Sequence, residues 1–144
     1  MCGITALISN NGDNIIFDLY ESLYHLQHRG QDAFGLSFIN NNSLEHIKRK
    51  SLLSSTNINN EIQDIHSCAG LGHVRYPTQG SNTINECQPF FKEASKHNIS
   101  LVHNGQIWIT DKLIRYFNNN NINIDPEITS DSIYLLEFLS YINL

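Results

Sequence analysis

The sequence has no excess of basic residues: 9 Lys and Arg stand against 14 Asp and Glu, and the formal net charge at pH 7 is −5. Nucleic-acid-binding domains usually concentrate positive charge on one face, so we do not expect nucleic acid as a partner. No apolar run approaches the ~18 residues of a membrane-spanning helix, and the first residues show no signal-peptide pattern. We therefore expect a cytoplasmic protein that does not enter a membrane.

Cysteine is also scarce, and its positions form no recognisable framework. The 3 cysteines, Cys2, Cys68 and Cys87, are odd in number and scattered, which fits neither a disulfide scaffold nor a zinc pattern. The histidines are not spaced for a tetrahedral metal site, and no glycine-rich phosphate loop of either common pattern is present. We expect no metal and no cofactor, and we interpret Cys68 and Cys87 as packed or idle thiols.

The pattern of apolar residues predicts an α+β fold. The 144 residues, 40% of them hydrophobic, are enough for a single domain over 1–144 with a buried core. Helical spacing predicts helices over 13–28, 111–117 and 131–142. Asp13 is the expected N-cap of the first helix. Strands are predicted at 3–9, 34–40, 44–50, 69–75 and 99–103. Because most of these strands are arranged as hairpins, the sheet should be largely antiparallel.

The last predicted helix, 131–142, is apolar almost all round. Helices of this kind are normally buried, and nothing follows this one to cover it. We therefore expect a second copy of the chain or another protein to cover it.

The first four residues, MCGI, place a thiol next to the initiator methionine. Because Met1 is followed by a small side chain, its removal would leave Cys2 with both a thiol and a free α-amine. A thiol needs a base at neutral pH, and an α-amine of pKa about 7.7–8.0 can serve as one. The alternative is that Cys2 belongs to a frayed terminus with no function.

Four further polar clusters occur at predicted strand ends or loops, where sites are commonly mounted: 28–32, 75–81, 103–105 and 130–132. Each has a purely structural alternative. Arg75 alone could form a surface ion pair, and Asp131 alone could cap the last helix. Asn104 followed by Gly105 is a common turn dipeptide. Taken one at a time, these clusters do not establish a site.

Six motifs, in this order and at these spacings, carry a resemblance to a known family. They are MCGI at 1–4, LQHRGQDAFG at 26–35, GLGHVRYPTQGS at 70–81, QPF at 88–90, HNG at 103–105 and TSDS at 129–132. Together they resemble the class II glutamine amidotransferases, and most of all the amino-terminal glutaminase domain of amidophosphoribosyltransferases. The resemblance implies an N-terminal nucleophile hydrolase fold, with antiparallel sheets sandwiched between helices and here incomplete at its carboxyl end.

The resemblance also implies a reaction, the hydrolysis of the side-chain amide of free glutamine to glutamate and ammonia. By that match, Cys2 is the nucleophile that forms a γ-glutamyl thioester, and its α-amine moves the proton. Asn104 and the Gly105 N–H would form the oxyanion hole. The ammonia would pass to a synthetase partner, or the chain would work as a homo-oligomer.

The same resemblance assigns residues to substrate binding and to support. Arg75 would hold the α-carboxylate of glutamine, because a guanidinium can grip a carboxylate with two hydrogen bonds. Thr78 would add a hydroxyl, and Asp131 would hold the α-ammonium group. The remaining residues match the segment that braces the nucleophile, and we assign them support without chemistry: Arg29, Gly30 and Asp32.

The chain departs from the family pattern in three ways. Gln106 stands where the family usually has Asn, and Gln79 replaces a small residue in the loop around Thr78. The chain is also shorter than the family's glutaminase domain, and it has no phosphoribosyltransferase half. Three functions therefore remain open. The first is a working glutaminase, and the second is a truncated, weakly active or inactive remnant that binds glutamine or a partner. The third is a hydrolase of a different amide. The presence of both Arg75 and Asp131 argues against the third.

Overall fold

In the computed structural model, residues 1–76, 83–93 and 97–142 are described. Six strands and four α-helices follow one another along this part of the chain. In order they are β1 Gly3–Ile8, α1 Ile16–Leu26, β2 Ala33–Asn40, β3 Ser43–Arg49, α2 Asn59–Ile62, β4 Ala69–Arg75, β5 Phe90–Glu93, β6 Asn98–Leu101, α3 Asp111–Asn119 and α4 Ser132–Ile142. Short 3-10 turns lie at Gln27–Arg29, Leu53–Ser55 and Ile84–Glu86. The α+β class and the antiparallel pairing predicted from the sequence are confirmed.

The larger sheet has four antiparallel strands in the order β1-β4-β2-β3. β4 lies in the middle, pairing Gly3 of β1 with its Val74 and Ala33 of β2 with its Arg75. The first residues of the chain, the residues before β2 and the last residues of β4 are therefore neighbours at one end of the sheet. Residues far apart in sequence meet there.

Helix α1 packs on one face of this sheet. Ile16, Leu19 and Leu23 recur at intervals of three and four, and all are fully buried. Burying each such side chain contributes about 1.5–3 kcal/mol, so the apolar stripe fixes which face of α1 meets the sheet. The predicted Asp13 cap is wrong. Asn14 instead accepts hydrogen bonds from the backbone N–H groups of Ile16 at 3.2 Å and Ser67 at 3.0 Å.

The smaller sheet pairs β5 with β6, and α4 packs against it. Phe90 of β5 is buried with Ile133 and Leu136 of α4. On another side of α4, the Tyr134 ring lies 5.6 Å from the ring of Phe117 in α3. The expectation that nothing in the chain covers this helix is therefore wrong in part. Its carboxyl end is the exposed part, where Tyr141 is 43% exposed.

Two local features match their sequence signals. The β2–β3 hairpin turns at Asn41 and Asn42, both with positive φ, a conformation that asparagine tolerates better than most residues. Thr110 caps α3, because its Oγ1 accepts a hydrogen bond from the Leu113 N–H at 3.2 Å. None of the helices in the described ranges is long and apolar enough to cross a membrane.

Gly30 marks a close approach of two backbones. A Cβ atom at this position would lie 2.6 Å from the carbonyl oxygen of Val74 and 2.7 Å from the carbonyl carbon of Arg75. Both contacts are with the backbone of β4, which cannot swing aside as a side chain could. The absence of a side chain at Gly30 therefore allows the segment after α1 to lie against the end of β4.

We expect Gly30→Ala to lower the free energy of unfolding by about 3 kcal/mol or more, because the new methyl group overlaps backbone atoms. Gly12→Ala is the comparison, because Gly12 has a positive φ of 80° and nothing within 4 Å of the added carbon. That change should cost only about 1 kcal/mol, through backbone strain. Urea unfolding of both variants measures the difference. Equal losses would contradict the close approach at Gly30.

Candidate active site

Cys2 lies at the end of the larger sheet, directly before β1. Its Sγ accepts a hydrogen bond from the Tyr76 N–H at 3.5 Å, and it can donate to the Tyr76 carbonyl oxygen at 3.9 Å. Tyr76 follows Arg75, the last residue of β4. The thiol is half-buried and therefore sits beside the strand end that carries Arg75.

The backbone carbonyl of Cys2 is held by two side chains from different parts of the chain. Arg29 donates to it through Nε at 3.1 Å, and Asn104 donates through Nδ2 at 2.9 Å. Arg29 belongs to the 3-10 turn after α1, whereas Asn104 follows β6 of the smaller sheet. The start of the chain is therefore tied to both sheets at once.

Arg75 and Asp32 form a largely buried ion pair. The Arg75 Nη1 atom lies 3.2 Å from Asp32 Oδ2, and the two side chains are only 10% and 15% exposed. The Asp32 N–H also donates to the Arg75 carbonyl at 3.1 Å. The alternative of an exposed surface pair at Arg75 does not describe this contact. The Asp32 carboxylate instead fixes the guanidinium at the end of β4.

The turn at 103–105 is positioned by hydrogen bonds to its first residue. The His103 N–H donates to Gln88 Oε1 at 2.6 Å, and the His103 ring Nδ1 lies 2.9 Å from Ser132 Oγ. A Cβ atom on Gly105 would lie 2.7 Å from the His103 ring. The histidine ring therefore packs directly over Gly105 and leaves no room for a side chain there.

Asp131 precedes α4 and faces the segment that follows the turn. Its Oδ2 accepts a hydrogen bond from the Ile107 N–H at 2.5 Å, and its Oδ1 accepts one from the Ser132 hydroxyl at 3.3 Å. These contacts differ from those of a helix N-cap, which accepts from the first turn of its own helix. Asp131 and Asn104 thus lie on two segments that are hydrogen-bonded together.

His73 is a buried residue of the site region that the sequence reasoning did not single out. It is 1% exposed, and in the described part of the chain neither ring nitrogen has a hydrogen-bond partner. Burial, with smaller contributions from the nearby Arg75 and His103, lowers the pKa of His73 to about 4. The signal was available, because residues two apart on β4 share a face, which places His73 beside Arg75.

The structure describes some, but not all, of the other residues that the sequence analysis named. Thr78 and Gln79 lie outside the described residues. Cys87 is 1% exposed, and burial raises the pKa of its thiol, so it is a packed thiol, whereas Cys68 is half-buried. Among the described residues, no group of three or more His, Cys, Asp or Glu side chains is placed to hold a metal ion.

Comparison with solved structures identifies the fold. The allosteric regulatory enzyme of purine biosynthesis matches with a TM-score of 0.78 over 96% of this chain, at 23% identity. The glutamine phosphoribosylpyrophosphate amidotransferase of B. subtilis, in complex with ADP and GMP, matches with a TM-score of 0.76 at 21% identity, also over 96% of the chain. This chain covers 29% of each of those chains. The expected N-terminal nucleophile hydrolase fold is confirmed.

Comparison of sequences identifies the family. The family model for class II glutamine amidotransferases matches residues 1–123. Amidophosphoribosyltransferase of Escherichia coli K12 is 37% identical over 97% of this chain and 27% of its own length. That of Methanocaldococcus jannaschii is 35% identical over 80% of this chain and 24% of its own length. The chain therefore belongs to the class II glutamine amidotransferases, and it spans about a quarter of the length of these relatives.

Burial of a neutral His73 makes stability depend on pH. Its folded pKa of about 4 lies below the ordinary 6.5, so the unfolded chain binds more protons between these values. The contribution of His73 to the free energy of unfolding is therefore complete above pH 6.5 and is lost as the pH falls towards 4. At about 1.4 kcal/mol per pKa unit, the total loss is about 3 kcal/mol. Urea unfolding from pH 7 to 4 should show this decline, and His73→Gln should flatten it. Identical pH profiles for the two proteins would contradict the assignment.

Proposed function

We propose that this chain performs the glutaminase half-reaction of a class II glutamine amidotransferase, in which Cys2 attacks the side-chain amide of free L-glutamine. The observation that carries the proposal is the placement of the Cys2 thiol against the Tyr76 N–H, next to Arg75. This contact holds the thiol at the end of the β4 strand. The proposal is confined to glutamine hydrolysis, because the chain spans about a quarter of its relatives.

The reaction begins after removal of Met1, which frees the α-amine of Cys2. The amine takes the thiol proton, and sulphur attacks the amide carbonyl carbon to form a tetrahedral oxyanion. Collapse of this intermediate breaks the C–N bond and leaves a γ-glutamyl thioester. The ammonium form of the Cys2 amine returns its proton to the departing ammonia. Water then attacks the thioester, which releases glutamate and restores the thiol.

The oxyanion would be stabilised by the Asn104 side-chain amide and the Gly105 N–H. One good donor of this kind is worth about 3–4 kcal/mol in the transition state. Asn104 Nδ2 donates instead to the Cys2 carbonyl at 2.9 Å, so it already lies beside the residue that carries the nucleophile. A rotation of the Asn104 side chain on substrate binding would redirect this donor to the oxyanion.

Free glutamine would be recognised by its two charged ends. Arg75 binds the α-carboxylate, since a guanidinium has five N–H donors and the Asp32 contact involves Nη1. Asp131 binds the α-ammonium group, and Thr78 adds a hydroxyl to the carboxylate. Binding both ends selects free glutamine over glutamine within a peptide. This pairing favours glutamine over another amide as the substrate.

The residues around the nucleophile act as support. Arg29 holds the Cys2 carbonyl, Gly30 allows the approach to β4, and Asp32 holds Arg75. The ammonia would pass to an acceptor domain or a synthetase partner. If the chain binds glutamine without hydrolysing it, the binding-module alternative applies instead, and the next experiment separates the two.

We expect Cys2→Ala to reduce glutamate release to about a thousandth or less of the wild-type rate, because the nucleophile is lost. Cys68→Ala is the matched control and should retain activity, since Cys68 is a half-buried thiol that precedes β4, at the opposite end of the larger sheet from Cys2. Glutamate release is measured enzymatically, with mass spectrometry to establish removal of Met1. An electrophilic glutamine analogue should label Cys2 alone. A label on Cys68 or Cys87, or equal glutamate release from both variants, would rule out the proposed nucleophile.

A further inference from the structure

Glu86 is a buried acidic residue that has no role in the chemistry described above. It ends the 3-10 turn before β5 and is 4% exposed. Its Oε1 accepts hydrogen bonds from both the Thr129 N–H at 2.5 Å and the Thr129 hydroxyl at 2.9 Å. Thr129 lies two residues before Asp131, so Glu86 holds the segment that presents Asp131.

The segment 86–88, which contains Glu86, also holds the turn at 103–105. Gln88, two residues after Glu86, accepts from the His103 N–H at 2.6 Å and donates to Ser132 Oγ at 3.5 Å. Contacts from 86–88 therefore reach both the residues around Asp131 and the turn that carries Asn104. Glu86 contacts the first of these two parts of the site, and Gln88 contacts both.

The backbone that carries Asp131 needs such an anchor. Residues 128–130 form neither helix nor strand, so no ladder of backbone hydrogen bonds fixes them. Ordering each such residue costs about 1–2 kcal/mol of conformational entropy. Hydrogen bonds to a carboxylate are roughly twice as strong as those between neutral groups. Glu86 makes two of them to one residue, which fixes Thr129 in both position and orientation.

Burial of an acidic side chain is itself unfavourable. Removing a carboxylate from water is costly unless it is hydrogen-bonded, and replacing both partners of a buried hydrogen bond by apolar groups of the same shape can be neutral or stabilising. Fold stability alone therefore does not explain an acid at this position. A need for accurate placement of Asp131 explains the acid, because a small displacement of a substrate-binding group can strongly reduce catalysis.

We propose that Glu86 is a positioning residue that sets the location of Asp131 and thereby determines selectivity for the α-ammonium group of glutamine. The inference rests on the proposed function, in which Asp131 binds that group. Glu86 does not touch the substrate. Its effect passes through Thr129 and the two following residues, while the thiol and the oxyanion hole keep their geometry.

The test compares glutamine with glutaramate, the same molecule without its α-amino group. In Glu86→Gln the amide oxygen can still accept both hydrogen bonds but without the carboxylate charge that strengthens them, whereas Glu86→Leu removes both. We expect the ratio of kcat/KM for glutamine to that for glutaramate to fall about tenfold in Glu86→Leu and less in Glu86→Gln. The fall should come from a higher KM for glutamine, with kcat/KM for glutaramate unchanged. Thr129→Val, which removes only the hydroxyl, should give a small fall of the same kind.

Two further variants make the outcome decisive. Glu127→Gln makes the same chemical change at an exposed position two residues from Thr129 and should leave the ratio unchanged. Asp131→Asn should lower the ratio at least as much as Glu86→Leu.

If wild-type protein releases no glutamate, the proposed function itself fails. If Asp131→Asn lowers the ratio but the Glu86 and Thr129 variants leave it unchanged, or lose activity equally on both substrates, only the role of Glu86 is overturned. Should Glu86→Leu not fold, the isosteric Glu86→Gln and Thr129→Val decide the question.

Discussion

The hydrogen bonds that converge on the carbonyl oxygen of Cys2 are the constraint on which the site depends. Arg29 reaches this oxygen from the turn after α1, and Asn104 reaches it from the residues after β6. A chain terminus is normally poorly ordered unless it is tied down. Here strand pairing with β4 and these two donors hold the terminal residues together. A nucleophile at the start of a chain can then have a defined position.

On the side of the smaller sheet, a connected set of polar contacts positions the residues around Asn104. His103 is bonded to Gln88 and to Ser132, and Ser132 is bonded to Asp131. Buried polar groups are favourable when each has a partner and costly when one is lost. The network therefore favours a single arrangement of the turn, the start of α4 and the segment before β5. The turn contributes Asn104 and Gly105 to the proposed glutamine site, and the residue before α4 contributes Asp131.

Local features of the fold were predictable from sequence because their causes are local. The spacing of Ile16, Leu19 and Leu23 is sufficient to define the buried face of α1, and Thr110 is a good cap whatever surrounds it. The motifs predicted the family, which the comparisons confirm. They could not predict the strand order β1-β4-β2-β3, because the pairing of distant strands depends on the whole chain. The cap predicted at Asp13 is wrong, and the Asn14 side chain accepts from Ile16 and from the distant Ser67, a contact that local sequence does not reveal.

The central claim is that a sulphur atom at the start of the mature chain faces a glutamine held by both charged ends. The most direct measurement is a crystal structure of the chain after reaction with an electrophilic glutamine analogue. The account predicts a covalent bond to Cys2 Sγ, with the α-carboxylate of the adduct on Arg75 and its α-ammonium group on Asp131. An adduct on Cys2 whose charged ends contact neither residue, or a retained Met1 that blocks reaction at Cys2, would contradict it.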